Sequence, residues 1–131
     1  MSSQHATLSA ERWARFSFGE QVLMIGNEMN RGANLLAPFD RARLRSCYER
    51  ILNLVDLTVQ VQDRPARRRE LLRWRDLIAG MLIADATDPE GHADAFRCLL
   101  RLTPVASAQI PFVLRAPAGP PAPERSRTRS R

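Results

Sequence analysis

Lysine is missing from this chain: all 20 of its basic residues are arginine. A high-GC coding sequence suffices to account for that, so no function is read from it. Cysteine and histidine are scarce, at two each. There is no CxxC, no HExxH and no paired carboxylate–histidine motif, which removes the usual sequence basis for a zinc site. A GxSxG elbow and a glycine-rich phosphate loop are also missing. Neither Cys47 nor Cys98 has a histidine at a neighbouring helical position, so a nucleophile would lack its local base. Only the tertiary fold can bring His92 to Cys47. No apolar run reaches the roughly eighteen residues of a membrane span, and the N-terminus lacks the basic-then-apolar pattern of a signal peptide. The expectation is therefore a cytoplasmic chain with no membrane, cofactor or metal requirement and no enzymatic activity.

What is present is helical periodicity. Leu44, Cys47, Tyr48, Ile51, Val55 and Thr58 recur at three- and four-residue steps, one face of a helix. In its second half Leu52, Leu54, Leu57, Val59 and Val61 widen the apolar set nearly all the way round. A helix of that kind must be covered on several sides, which makes it the centre of a bundle. Before it, Ser17 and Glu20 form a capping box, followed by an apolar face of Val22, Ile25, Met29, Ala33 and Leu36 that Pro38 ends. Gly19, Gly26 and Ala33 repeat beside that face, with Gly32 on its other side. Glycine costs about 1 kcal/mol inside a helix. Either a neighbouring helix approaches closely there, making Gly19, Gly26 and Ala33 a candidate protein interface, or the small residues are merely tolerated.

Asp40 caps the central helix, and Asp63-Arg64-Pro65 breaks it, because the residue before proline avoids the helical region. Pro65 suits the first turn of a third helix with Leu71, Trp74, Ile78, Met81 and Leu82 on one face. Asp88 and Pro89 open a fourth, carrying Phe96, Leu99 and Leu100. Thr103 and Pro104 open a last short one that Pro111 ends, with Phe112, Val113 and Leu114 packing back on the bundle. Ser9 begins a short helix that lays Trp13 and Phe16 on the same core. Cys47 and Cys98 sit on apolar faces and read as free, buried thiols.

The expected architecture is all-α: an N-terminal segment over 1–16, a bundle of four main helices over 17–114, and a disordered Pro/Arg-rich basic tail over 115–131. Charge is unevenly placed. Residues 41–75 carry net +6 and the tail +4, against −1 for 1–40 and −3 for 76–114. The bundle is thus only +2, and a basic balance alone says little about nucleic acid. More specific is the cluster Arg64, Arg67, Arg68, Arg69, Arg73 and Arg75, six arginines in twelve residues. Cations at a helix start oppose its dipole. They read either as a phosphate-binding face for RNA or DNA, with Arg64, Arg67, Arg68, Arg69 and Arg73 as its contacts, or as a solvated face paired with Glu70 and Asp76. Arg75, at the edge of the buried face, needs an acidic partner. The carboxylates Glu28, Glu49 and Asp56 read as arginine partners or exposed charges. His92 lies near Asp88, Glu90 and Asp94, but Asp88 is already used as a cap and His92 sits four before Phe96 on the packed side.

The stretch Arg15-Phe16-Ser17-Phe18-Gly19-Glu20-Gln21-Val22 resembles the start of the first long helix in the accessory variability determinant (Avd) proteins of diversity-generating retroelements. Glu20 stands where that pattern favours Gln. The resemblance covers about eight residues and the helix order. It implies a small basic four-helix bundle in a non-catalytic accessory role, with RNA and protein partners and a ring-shaped oligomer. Two functional expectations follow: an accessory or adaptor protein acting through an unidentified protein partner and homo-oligomerisation, or a nucleic-acid-binding accessory protein using residues 64–75 and the tail.

Overall fold

A computed structural model describes residues 9–84 and 86–114. The tail, His5 and Asp85 lie outside the described residues. The fold is all-α, with helices α1 (Ala10–Trp13), α2 (Phe18–Ala33), α3 (Arg41–Val61), α4 (Pro65–Ile83), α5 (Pro89–Leu100), α6 (Pro104–Ser107) and α7 (Ile110–Val113). The four long helices form a ring in which α2 packs on α3 and α5, and α4 closes it against α3 and, less extensively, α5. α1 lies on α3, and α6 on α2 and α5.

Local signals set most boundaries. The Ser17 side chain accepts from Glu20 N, and Glu20 Oε1 accepts from Ser17 N at 2.8 Å, completing the capping box. Asp40 accepts from Arg43 N, Asp88 from Glu90 N and Thr103 from Ala106 N. Prolines occupy the first position of α4, α5 and α6, where their missing N–H is no loss. α3 has the broad buried face expected of it, with Leu44, Cys47, Tyr48, Ile51, Leu52, Leu54, Val55 and Thr58 all buried, but it is one member of the ring and not its centre. Opposite it stand Val22, Ile25 and Met29 of α2, Leu71, Trp74 and Ile78 of α4, and Phe96, Leu99 and Leu100 of α5.

At the end where α1 lies, indole and amide donors tie the parts together. Trp13 is buried, and its Nε1–H donates to Thr58 Oγ1 at 2.9 Å; that hydroxyl donates to Leu54 O at 2.7 Å. The buried Gln21 amide donates to the carbonyls of Trp13 and Phe16, which satisfies the open end of α1. Phe16 is 37% exposed and meets Trp13 edge-on.

Three expectations are corrected. Cys98 is free, like Cys47, but exposed. Pro111 does not end a helix; it lies in the first turn of α7, where a proline is as tolerable as in the other helix starts. Phe112 is 72% exposed and Val113 38%, so only Leu114 of that trio packs back, joined by Ile110. α7 is a single turn and can present just one side to the bundle; Ile110 and Leu114, four apart, take it.

Replacing Thr58 with valine strands the buried Trp13 N–H without an acceptor. We expect a loss of about 1–3 kcal/mol in urea denaturation. Thr58→Ser, which keeps the hydroxyl, should lose clearly less.

Candidate functional site

The polar interior lies at the opposite end, where the end of α2, the start of α3 and the start of α5 meet. His92 is 1% exposed. Its Nε2 is 2.8 Å from the carbonyl of Met29, which can only accept, so Nε2 carries the proton. Nδ1 is then the acceptor for the Tyr48 hydroxyl at 2.7 Å. Burial depresses the imidazole's proton affinity, only partly offset by the Met29 contact, so the ring is held neutral. Burial also raises Tyr48 to about 12.

Next to this pair stands Gly32, fully enclosed. A Cβ built there would fall 2.9 Å from His92 Cε1 and 3.4 Å from Cys47 Sγ. The fold does therefore bring Cys47 and His92 to one place, which no local spacing foretold. It does not make them a nucleophile and base. Both His92 nitrogens are engaged elsewhere. The Cys47 thiol donates to the Glu28 carbonyl at 3.2 Å, and burial together with the Glu28 charge pushes it up to about 11. A thiol held protonated beside a neutral imidazole is the reverse of an activated pair.

Glu28 is the one buried carboxylate of the described core. Arg31 reaches its Oε2 at 2.7 Å, and Arg50 places Nε and Nη2 on Oε1 at 3.3 and 3.2 Å. Glu49 pairs with Arg45, and Asp56 with Arg75 through two nitrogens. Arg75 thus has the partner its position required, and all three candidate carboxylates are arginine partners.

The arginine cluster divides. Arg67 lies over the Phe18 ring, 4.6 Å from its centroid, and Arg73 pairs with Glu70 at 3.0 Å. Arg64, Arg68 and Arg69 are exposed and have no acidic partner among the described residues. Arg64 is also the N-cap of α4 and offers no side-chain cap; its own N–H is taken by the Gln62 side chain.

The small-residue flank of α2 is used within the chain. Gly26 is covered by Phe96 and Leu100 of α5, its built Cβ falling 3.3 and 3.5 Å from them, and Gly19 lies under Val105 of α6. Ala33 is exposed. Sequence reasoning missed the outward-facing Leu72, Leu77 and Ile83 on α4 and Val105 on α6, whereas Phe112 and Val113 fall in the apolar 110–114 segment that it also read as a candidate contact surface. Their only sequence signal was a position off the main apolar stripe of their helices. Val113 also borders an open groove of about 230 Å³ with Leu23, Gly26, Phe96 and Leu100. The chain matches no family model, no curated protein and no solved structure.

The pH response of His92 follows from its depressed proton affinity. The stability it contributes is whole above the ordinary imidazole value of 6.5. It falls as pH drops below that value, until the folded protein's own lower value is passed, because the unfolded chain takes up the proton first. We expect unfolding free energy to decline by up to about 1.4 kcal/mol per pH unit in that window. His92→Gln should be less stable at neutral pH yet lack this component of the slope, as read from denaturant midpoints at a series of pH values.

Proposed function

We propose that this protein is a non-enzymatic accessory or adaptor protein that acts through protein–protein contacts and self-association. The observation that carries this reading is the set of outward-facing apolar residues on α6 and α7: Val105, Phe112 and Val113. Val105 and Phe112 stand 55% and 72% exposed, and Val113 borders an open groove, a placement that costs hydration free energy unless something covers it. The interior polar groups support the same reading, since His92, Glu28 and Cys47 are all spent on holding helices together. An accessory role is also what the resemblance of Arg15–Val22 to the Avd proteins implies.

The test is a photo-crosslinking amino acid at position 112 in the full chain, expressed in its native cell, with exposed Gln60 as the control position. A discrete protein adduct specific to position 112 is expected. Labelling no greater than at position 60 would defeat the reading.

A second reading, binding of RNA or DNA, is favoured by one observation: Arg64, Arg68 and Arg69 lack acidic partners among the described residues and gather at the start of a long helix. If they contact phosphates, the log affinity for single-stranded RNA should fall against log salt by about 0.7 per contact. Reversing the three to glutamate should then flatten that slope. An unchanged slope would leave them a solvated face.

A further inference from the structure

Between the end of α2 and the start of α3 lies an open groove of about 540 Å³ whose lining is basic. Arg31 and Asn34 line it from the α2 side, and Arg43, Ser46 and Arg50 from α3. The three α3 residues follow one another at steps of three and four, and so share a face of that helix. No acid is among the lining residues.

Two of the guanidinium groups share one anchor. The Glu28 side chain is 12% exposed and accepts from Arg31 through Oε2 and from Arg50 through Oε1. A guanidinium carries five N–H donors. Arg31 spends one nitrogen on Glu28, and Arg50 spends Nε and Nη2. Nε and Nη2 of Arg31 and Nη1 of Arg50 therefore have no acceptor among the described residues. Arg43 meets Asp40 at 3.6 Å, beyond hydrogen-bond range. The side chains of Asn34 and Ser46 make no hydrogen bond among the described residues. Three cations against Glu28 and Asp40 leave one positive charge in excess. Oriented guanidinium groups with spare donors, joined by an amide and a hydroxyl, form the donor set that a tetrahedral oxyanion takes.

We infer that this groove binds a small phosphate monoester. Arg31 and Arg50 clamp its oxygens, and Asn34 and Ser46 add neutral donors. Leu35 and Ala42 complete the lining and meet the apolar body of the ligand. Glu28 stays off the phosphate; it fixes the two arginines beforehand, which lowers the ordering cost of binding. The volume falls within the range of small-molecule sites, about 300–1,000 Å³. Acids at the borders favour a compact anion over a polymer. Asp40 stands at the start of α3, and Glu49, three residues after Ser46, flanks the same face. A strand of phosphates running out of the groove past either end would meet one of these carboxylates, whereas a single phosphate group meets neither. The site is distinct from Arg64, Arg68 and Arg69 and rests on neither reading of the proposed function.

A nitrogen–proton chemical-shift titration of the full chain tests it, with inorganic phosphate and then phenyl phosphate at about pH 8, where both carry two charges. Saturable shifts are expected at Arg31, Asn34, Ser46 and Arg50, with phenyl phosphate the tighter ligand. Ser46 is exposed, so Ser46→Glu should keep the helical circular dichroism and the cooperative melt. By placing a carboxylate among the clamp residues, it should weaken phenyl phosphate binding about tenfold or more. Arg31→Gln should weaken it several-fold, and Arg101→Gln, an exposed arginine lost elsewhere, should leave it unchanged. No saturable shift, shifts spread alike over every arginine cluster, or an affinity unmoved by Ser46→Glu overturns the site. A single-stranded RNA that displaces phenyl phosphate, and whose own binding Ser46→Glu abolishes, would make the groove part of a nucleic-acid face and overturn the small ligand.

Discussion

The arrangement of this bundle depends on one buried imidazole. His92, in the first turn and a half of α5, donates to the carbonyl of Met29 on α2 and accepts from Tyr48 on α3. Three helices are thereby fixed by two hydrogen bonds inside an apolar core, where an unmade bond would cost far more than a made one gains. The tie sets other residues in turn. Gly32 must lack a side chain because His92 Cε1 and Cys47 Sγ fill the space. Asp88 and Pro89 must start α5 at that point, so that residue 92 falls one turn inside the helix and on its packed side. Burial favours the neutral ring, and with Nε2 protonated Nδ1 is left to accept from the Tyr48 hydroxyl.

The other end of the bundle solves the same problem with different groups. Trp13, Thr58 and Gln21 tie the short α1 to α3 and α2 through an indole N–H, a hydroxyl and an amide. Between the two ends, Glu28 lies between Arg31 and Arg50 at the rim. Such a triad is kept in place by its geometry more than by net stabilisation, since desolvating its charges offsets much of their attraction. Every buried polar group accounted for so far is thus consumed by cohesion, and none is left poised for chemistry.

The framework was legible in the sequence because it rests on local rules. Ser17 with Glu20, Asp40, Asp88 with Pro89 and Thr103 with Pro104 each act within four residues, and the periodicity of α3 marked its buried face. The demand of Arg75 for an acid was also legible, and Asp56 meets it. What was not legible depends on distance in the fold. His92 was placed on the packed side of α5, but nothing in its neighbourhood names Met29 or Tyr48, which lie 63 and 44 residues away. Cys98 was placed on an apolar face, yet it is exposed, because Leu99 and Leu100 already occupy the sector of α5 that meets the core. The glycines of α2 signalled close approach, and the approach is made by Phe96 and His92 of the same chain.

α4 departs from these rules more than any other long helix. Its start has no side-chain cap and gathers arginines where the dipole disfavours them. Its second half holds an exposed glycine, Gly80, that no described residue requires. Its outer side carries leucines and an isoleucine that its own bundle does not cover. Each departure costs a little stability, and none is compensated among the described residues. The other three long helices carry side-chain caps at Ser17, Asp40 and Asp88, so among them the local conflicts gather on α4. Under the proposed self-association, another surface would take up those leucines and recover that cost. The isolated bundle thus supplies the reason to look outside itself, and α4 supplies the direction.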